Sequence, residues 1–153
     1  MQSVDGFDPQ FALSVALPLA RAAYGRDIDT NPPTGWSDCC LIQPDYFGFV
    51  GKNKTGYCVA FRGTESENEW LEDFAAVPVP NKFGQGTVHL GFQEVYERIR
   101  PAVLAATENN LADILLVGHS LGGALALLCG ADLGSQGRSV SIVSFAAPRV
   151  GKA

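Results

Sequence analysis

Ile114-Leu115-Leu116-Val117-Gly118-His119-Ser120-Leu121-Gly122-Gly123 is the stretch that decides how this chain is read. Its four apolar residues read as a strand buried on both faces, the kind found in a parallel sheet. G-x-S-x-G follows at once, from Gly118 to Gly122, and a helical pattern starts at about Ala124. Strand, tight turn and helix in that order make a nucleophile elbow, which lifts a serine Oγ to the top of the sheet. Glycine suits positions 118 and 122 because the chain crosses itself there and a Cβ would collide. The turn leaves the Leu121 N–H at a helix N-terminus, aimed at an incoming carbonyl oxygen. Ser120 is therefore the candidate nucleophile, supported by Gly118 and Gly122.

Composition narrows the setting. A chain of 153 residues suits one domain that buries about 68–70% of its unfolded surface. Hydrophobic residues at 46% and charged residues at 18% fit a soluble globule and not a disordered chain. A net charge of −5 with no basic run excludes a nucleic-acid partner. The apolar stretch Phe11 to Ala20 follows Asp5 and Asp8 instead of basic residues, so it fails the signal-peptide pattern. Pro18 and Arg21 make it too interrupted to span a bilayer. An amphipathic helix over residues 9–23 is expected in its place, and a cytoplasmic location is slightly favoured. Cys39, Cys40, Cys58 and Cys129 form no C-x-x-C pair, and with two histidines no metal site is expected. Cys58 and Cys129 lie in apolar segments and read as buried hydrophobes.

Along the chain, Asp27 to Asp38 reads as a Pro/Gly/Asp/Asn-rich loop. Strands near Tyr46–Lys52 and Tyr57–Arg62, joined by Asn53-Lys54-Thr55-Gly56, predict a hairpin. Ser66-Glu67-Asn68-Glu69 is a capping box that opens a short helix carrying Trp70, Leu71 and Phe74. Phe92, Val95, Tyr96, Ile99 and Val103 recur at helical spacing, with Pro101 expected to kink or split that helix. A last strand is expected at about Ser139–Phe145. Strands alternating with helices imply a parallel α/β sheet with an antiparallel start.

Four further elements accompany the elbow: Phe61-Arg62-Gly63-Thr64, Asn68-Glu69-Trp70-Leu71-Glu72-Asp73, His89-x-Gly91-Phe92, and Phe145-Ala146-Ala147-Pro148-Arg149-Val150-Gly151. Together they closely resemble the class 3, fungal-type triacylglycerol lipases, from about Tyr57 to Gly151. The resemblance implies the α/β class: an α/β-hydrolase-like, mostly parallel sheet with flanking helices, cut short at its C-terminal end. It makes residues 1–153 a single, incomplete lipase-like domain. It implies a serine ester hydrolase that acts on lipid or other hydrophobic carboxylic esters at a lipid–water interface, without cofactor or metal. Ser120 would be acylated, Leu121 and Thr64 N–H groups would form the oxyanion hole, and Asp73 would hold the Thr64 hydroxyl. Trp70, Leu71 and Phe74 would belong to the lid over the acyl groove.

Each position also has a plainer reading. Ser120 can serve a tight turn, Thr64 can end a strand, Asp73 and the nearby glutamates can form a solvated face, and Trp70 can be core. The family's catalytic Asp and His follow the P-R-V-G segment, and these 153 residues hold no counterpart of either. His119 is expected to point into the sheet as a satisfied core histidine. His89 resembles a structural residue near the site, with a substitute base as the rival role. Two other classes stay open: a non-catalytic binding or interaction module that retains the elbow, and an acyltransferase or thioesterase using the same serine. Without further pairing, the Ser139–Phe145 strand would be an exposed edge, so self-association is expected.

Overall fold

The computed structural model describes residues 6–64, 77–108 and 111–152. Its first helical segment, α1, runs as an α turn (Pro9–Phe11), a π turn (Ala12–Ala16) and an α-helix (Leu17–Ala22). Asp8 caps it by accepting hydrogen bonds from the N–H groups of Gln10 and Phe11, and Pro9 fills the first helical position. The π turn answers Pro18, which has no N–H and whose ring crowds the carbonyl four residues back. There the Leu17 N–H donates to the Ala12 carbonyl, five residues away.

Strands β1 (Ser37–Leu41), β2 (Gly48–Lys52) and β3 (Gly56–Phe61) form an antiparallel meander. Strands β4 (Pro78–Pro80) and β5 (Thr87–His89) lead into helix α2 (Leu90–Ala106). Strand β6 (Asp113–His119), helix α3 (Leu121–Ser135), β7 (Val140–Phe145) and the short β8 (Gly151–Lys152) follow. The main sheet has the order β1-β2-β3-β6-β7, and β4-β5-β8 make a second, antiparallel sheet. β3, β6 and β7 run parallel, whereas β1 to β3 are antiparallel. The main sheet is thus evenly mixed instead of mostly parallel, because the meander contributes a third strand.

That third strand lies where a loop was expected to reach Asp38. The register jumps from Ser37↔Lys52 to Cys40↔Val50, and Asp38 has φ 47°. Such a bulge breaks the period-two alternation that betrays a strand in sequence. The β2–β3 hairpin is held as expected: the Asn53 carboxamide oxygen accepts from the N–H groups of Thr55 and Gly56.

Alternate residues of a strand face opposite sides, and the core splits accordingly. Val59 and Phe61 of β3 and Ile114 and Leu116 of β6 pack with Phe92, Tyr96 and Ile99 of α2 and Leu121, Leu125 and Leu133 of α3. Cys58, Ala60 and Val117 face the other way, onto Ala16 and Leu19 of α1, Ala23 just after it, Phe49 and Ile28. Helix α2 runs through Pro101 without a break. Pro101 lies on the exposed face of the helix, where the missing N–H leaves one carbonyl, that of Glu97, without its helical partner. Helix α3 begins at Leu121, three residues before the apolar pattern suggested, because Gly122 and Gly123 hide its first turn. Cys58 and Cys129 are buried, Cys39 is half-buried and Cys40 is exposed; all four are free thiols. Among the described residues no helix is long and apolar enough to cross a membrane.

Candidate active site

Ser120 joins β6 to α3 with φ 54° and ψ −124°, a backbone conformation that costs an L-residue about 1–3 kcal/mol. Its N–H donates to the Phe145 carbonyl (3.0 Å) at the end of β7, and its own carbonyl accepts from Gly123 N–H (2.9 Å) inside α3. The neighbouring strand end and the helix start therefore over-determine the turn. A Cβ on Gly118 would lie 2.1 Å from the Gly122 carbonyl oxygen, and one on Gly122 would lie 2.2 Å from the Phe61 carbonyl oxygen. Both contacts are with backbone, which has nowhere to move. The first two N–H groups of α3, those of Leu121 and Gly122, precede the Gly123 bond to Ser120 and have no acceptor within the helix, so Leu121 N–H is a donor in waiting.

Glycines also draw the other motifs to the elbow. At Gly123 a Cβ would meet Ser144 Oγ at 2.6 Å and Ala147 Cβ at 2.8 Å, which seats the Phe145-to-Gly151 segment against the first turn of α3. At Gly63 it would meet Tyr24 Oη at 2.4 Å, His119 O at 2.8 Å and Ser120 Cβ at 3.4 Å. The Arg62-Gly63-Thr64 exit of β3 thus crosses directly beside the serine, with half-buried Thr64 one residue further on. His89 donates its backbone N–H to the Val150 carbonyl (2.9 Å), tying the H-x-G-F and P-R-V-G segments together through the small sheet.

The histidines do not join the serine. His119 is half-buried on the α1 side of the sheet, with Nδ1 3.0 Å from Tyr24 Oη. It has the expected satisfied role, met by a tyrosine at the end of α1. His89 stands at the start of α2, its ring edge-on to Phe92, and its buried Nδ1 has no hydrogen-bond partner. Among the described residues no group hydrogen-bonds the Ser120 hydroxyl, and Ser120 is 4% exposed. Asp73, Trp70, Leu71 and Phe74 lie outside the described residues.

Among the described residues the buried carboxylate is Asp132, and it is committed elsewhere. Tyr96 Oη donates to it (2.8 Å), Arg100 grips it through Nε (2.6 Å) and Nη2 (3.1 Å), and Gln136 donates as well. Twelve residues along α3 from Ser120, it stands about 18 Å from the elbow. Burial pushes the Tyr96 hydroxyl far up and the adjacent Cys129 thiol up to about 12, so both stay neutral. This network is structural. A hollow of about 360 Å³ lined by Gly56, Asp113 and Ser139 lies at the strand starts, the opposite end of the sheet from Ser120.

Sequence reasoning missed the roles of Tyr24, Gly63 and the Phe145 carbonyl, which touch the elbow from distant segments, and that of Gly123 within the elbow itself. Only the glycines carried a local sign, as small residues inside the quoted motifs.

Comparisons with known proteins agree with this arrangement. The family model described as "Lipase (class 3)" matches residues 58–153. A lipase of Rhizomucor miehei is 36% identical over 109 residues, which are 64% of this chain and 30% of that protein. The secreted mono- and diacylglycerol lipase A of Penicillium cyclopium is 31% identical over 118 residues, 71% of this chain and 39% of that protein. The chain thus spans about a third of the length of these relatives. The crystal structure of a mono- and diacylglycerol lipase from Aspergillus oryzae superposes with a TM-score of 0.78 at 23% identity, covering 96% of this chain and 65% of that one. At that identity the likeness is one of fold.

Proposed function

The chain belongs to the class 3 lipase family, and from that premise we propose that Ser120 is the nucleophile of a carboxylic-ester hydrolase acting on lipid or other hydrophobic esters. Ser120 Oγ adds to the ester carbonyl while its proton passes to a base. The tetrahedral oxyanion rests on the N–H groups of Leu121 and Thr64, the alcohol leaves, and water then releases the acid from the acyl-serine. The observation that carries this reading is the strained Ser120 backbone beside a free helix N-terminus and the Gly63-Thr64 crossing. Relatives named as lipases and as a mono- and diacylglycerol lipase make an acylglycerol the first substrate to try. The same premise assigns Trp70, Leu71 and Phe74 to a lid and Asp73 to holding the Thr64 hydroxyl. It also leaves the outer edge of β7, next to no other strand of the described sheet, as a surface for self-association.

One observation favours a second reading, a binding module that keeps the elbow without turnover. His119 is engaged by Tyr24, and neither histidine hydrogen-bonds Ser120 among the described residues. Losing the base costs about 10⁶-fold in a comparable serine enzyme, which takes a typical ~10 s⁻¹ to roughly 10⁻⁵ s⁻¹. Hydrolysis of short- and medium-chain p-nitrophenyl esters by this chain and by its Ser120→Ala variant separates the two. Serine-dependent turnover near about 1 s⁻¹ supports the hydrolase. Equal background rates in both proteins mean that residues 1–153 bind without turning over and assign any hydrolysis to a base outside them.

A further inference from the structure

Tyr24 lies just past the end of α1, 95 residues from its partner at the elbow. Its hydroxyl oxygen is 3.0 Å from His119 Nδ1, on the residue before the nucleophile. The same oxygen stands 2.4 Å from where a Gly63 Cβ would be, on the residue before Thr64. One hydroxyl therefore touches both chain segments that carry the proposed oxyanion donors. Its own position is fixed from behind. Tyr46 Oη donates to the Ala23 carbonyl (2.9 Å), and the guanidinium groups of Arg62 and Arg26 lie 5.1 and 5.2 Å from the Tyr46 ring centre. Arg62 is itself the start of the Arg62-Gly63-Thr64 crossing, so the end of α1 is tied to the segment that Tyr24 buttresses.

Oxyanion donors act only when they sit about 2.7–3.1 Å from the developing oxygen. Leu121 N–H is fixed by helix α3, whereas Thr64 N–H belongs to a strand exit whose last residue before it is a glycine. The spacing between the two donors needs a gauge, and a hydroxyl wedged between Gly63 and His119 supplies one. We propose that Tyr24 is a positioning residue that sets the separation of the Thr64 and Leu121 N–H groups through its contacts with Gly63 and His119. The proposal rests on the reading of Ser120 as nucleophile and adds a residue to that reaction.

The test uses a p-nitrophenyl alkylphosphonate. Ser120 Oγ forms the new O–P bond, p-nitrophenolate leaves with the electron pair of the old one, and the serine proton goes to solvent. Phenolate absorbance and the mass of the adduct report it. Tyr24→Phe is expected to lower the limiting rate about tenfold or more and leave the half-saturating concentration unchanged. Tyr96→Phe loses a buried hydroxyl that bonds Asp132 and not the elbow, and is expected to keep the wild-type rate. Gly63→Ala is expected to slow the reaction as well. Adding Tyr24→Phe to it is expected to recover part of the loss, because the 2.4 Å contact disappears. A wild-type rate in Tyr24→Phe, or losses that simply multiply, overturns the proposal. If the wild type forms no adduct, the nucleophile reading fails on its own. The positioning claim is then read by NMR: Tyr24→Phe must move the His119 ring nitrogens and the Thr64 and Leu121 amides together, and unmoved amides sink it.

Discussion

β6 and β7 are parallel neighbours built from similar residues, Ile-Leu-Leu-Val in one and Val-Ser-Ile-Val in the other. β6 is paired on both edges and covered on both faces, with Leu116 and Val117 fully buried. β7 is paired only to β6 among the described strands, and its Ile142 is 38% exposed. Their ends still meet, since the Phe145 carbonyl receives the Ser120 N–H. The difference teaches that apolar content alone does not rank strands by burial; their place in the sheet does. The nucleophile follows a strand paired on both edges and borrows one hydrogen bond from a strand paired on one.

The severest way to break this contrast is to push on the inner strand's exit. Gly118→Ala or Gly122→Ala places a Cβ within about 2.2 Å of a backbone oxygen, so either is expected to cost more than ~4 kcal/mol. Neither variant should give a cooperative thermal melt by circular dichroism. Next in size is a matched pair. Leu116→Ala should cost about 2–5 kcal/mol, and Ile142→Ala about 1 kcal/mol or less because Ile142 already meets water. Equal urea midpoints for the pair would remove the contrast.

A third test applies only at alkaline pH. Burial first, against a weaker opposing hydrogen bond from Tyr96, raises the Cys129 thiol from about 9 to about 12 in the folded chain. The folded value is the higher one, so this contribution is whole below pH about 9 and is lost as pH climbs to about 12. Cys129→Ala should flatten the alkaline arm of stability measured by urea titration between those limits. The exposed Cys40, on the opposite edge strand, should react with a thiol reagent at neutral pH without unfolding, while Cys129 waits for opening. The smallest effect concerns the outer edge itself. Ser141→Lys should change stability by less than ~0.5 kcal/mol but lower the scattering mass of concentrated samples. A wild type that stays monomeric across a dilution series would dispose of the edge as an association surface.

Much of the fold was legible because Ile114 to Val117 is an uninterrupted apolar run and because Asn53-to-Gly56 is turn chemistry. β1 was not, since its bulge at Asp38 scrambles the alternation. The β4-β5-β8 sheet was not, because strands of two or three residues carry no period. At the site, Ser120, Leu121 and the elbow glycines could be read directly, since strand, turn and helix are contiguous. Tyr24 could not: its partner is 95 residues away, and nothing in Ala-Ala-Tyr-Gly marks it. His119 was foreseen as satisfied, but what satisfies it depends on where α1 ends in space.

The contacts at Gly118 and Gly122 separate inheritance from use. Both glycines are demanded by backbone meeting backbone, whether or not an ester ever arrives. A lineage that stopped using Ser120 would remain bound to the glycines, since losing them loses the protein, while the hydroxyl alone would be at liberty to drift. The two glycines of such a signature thus record ancestry, and the serine between them records employment.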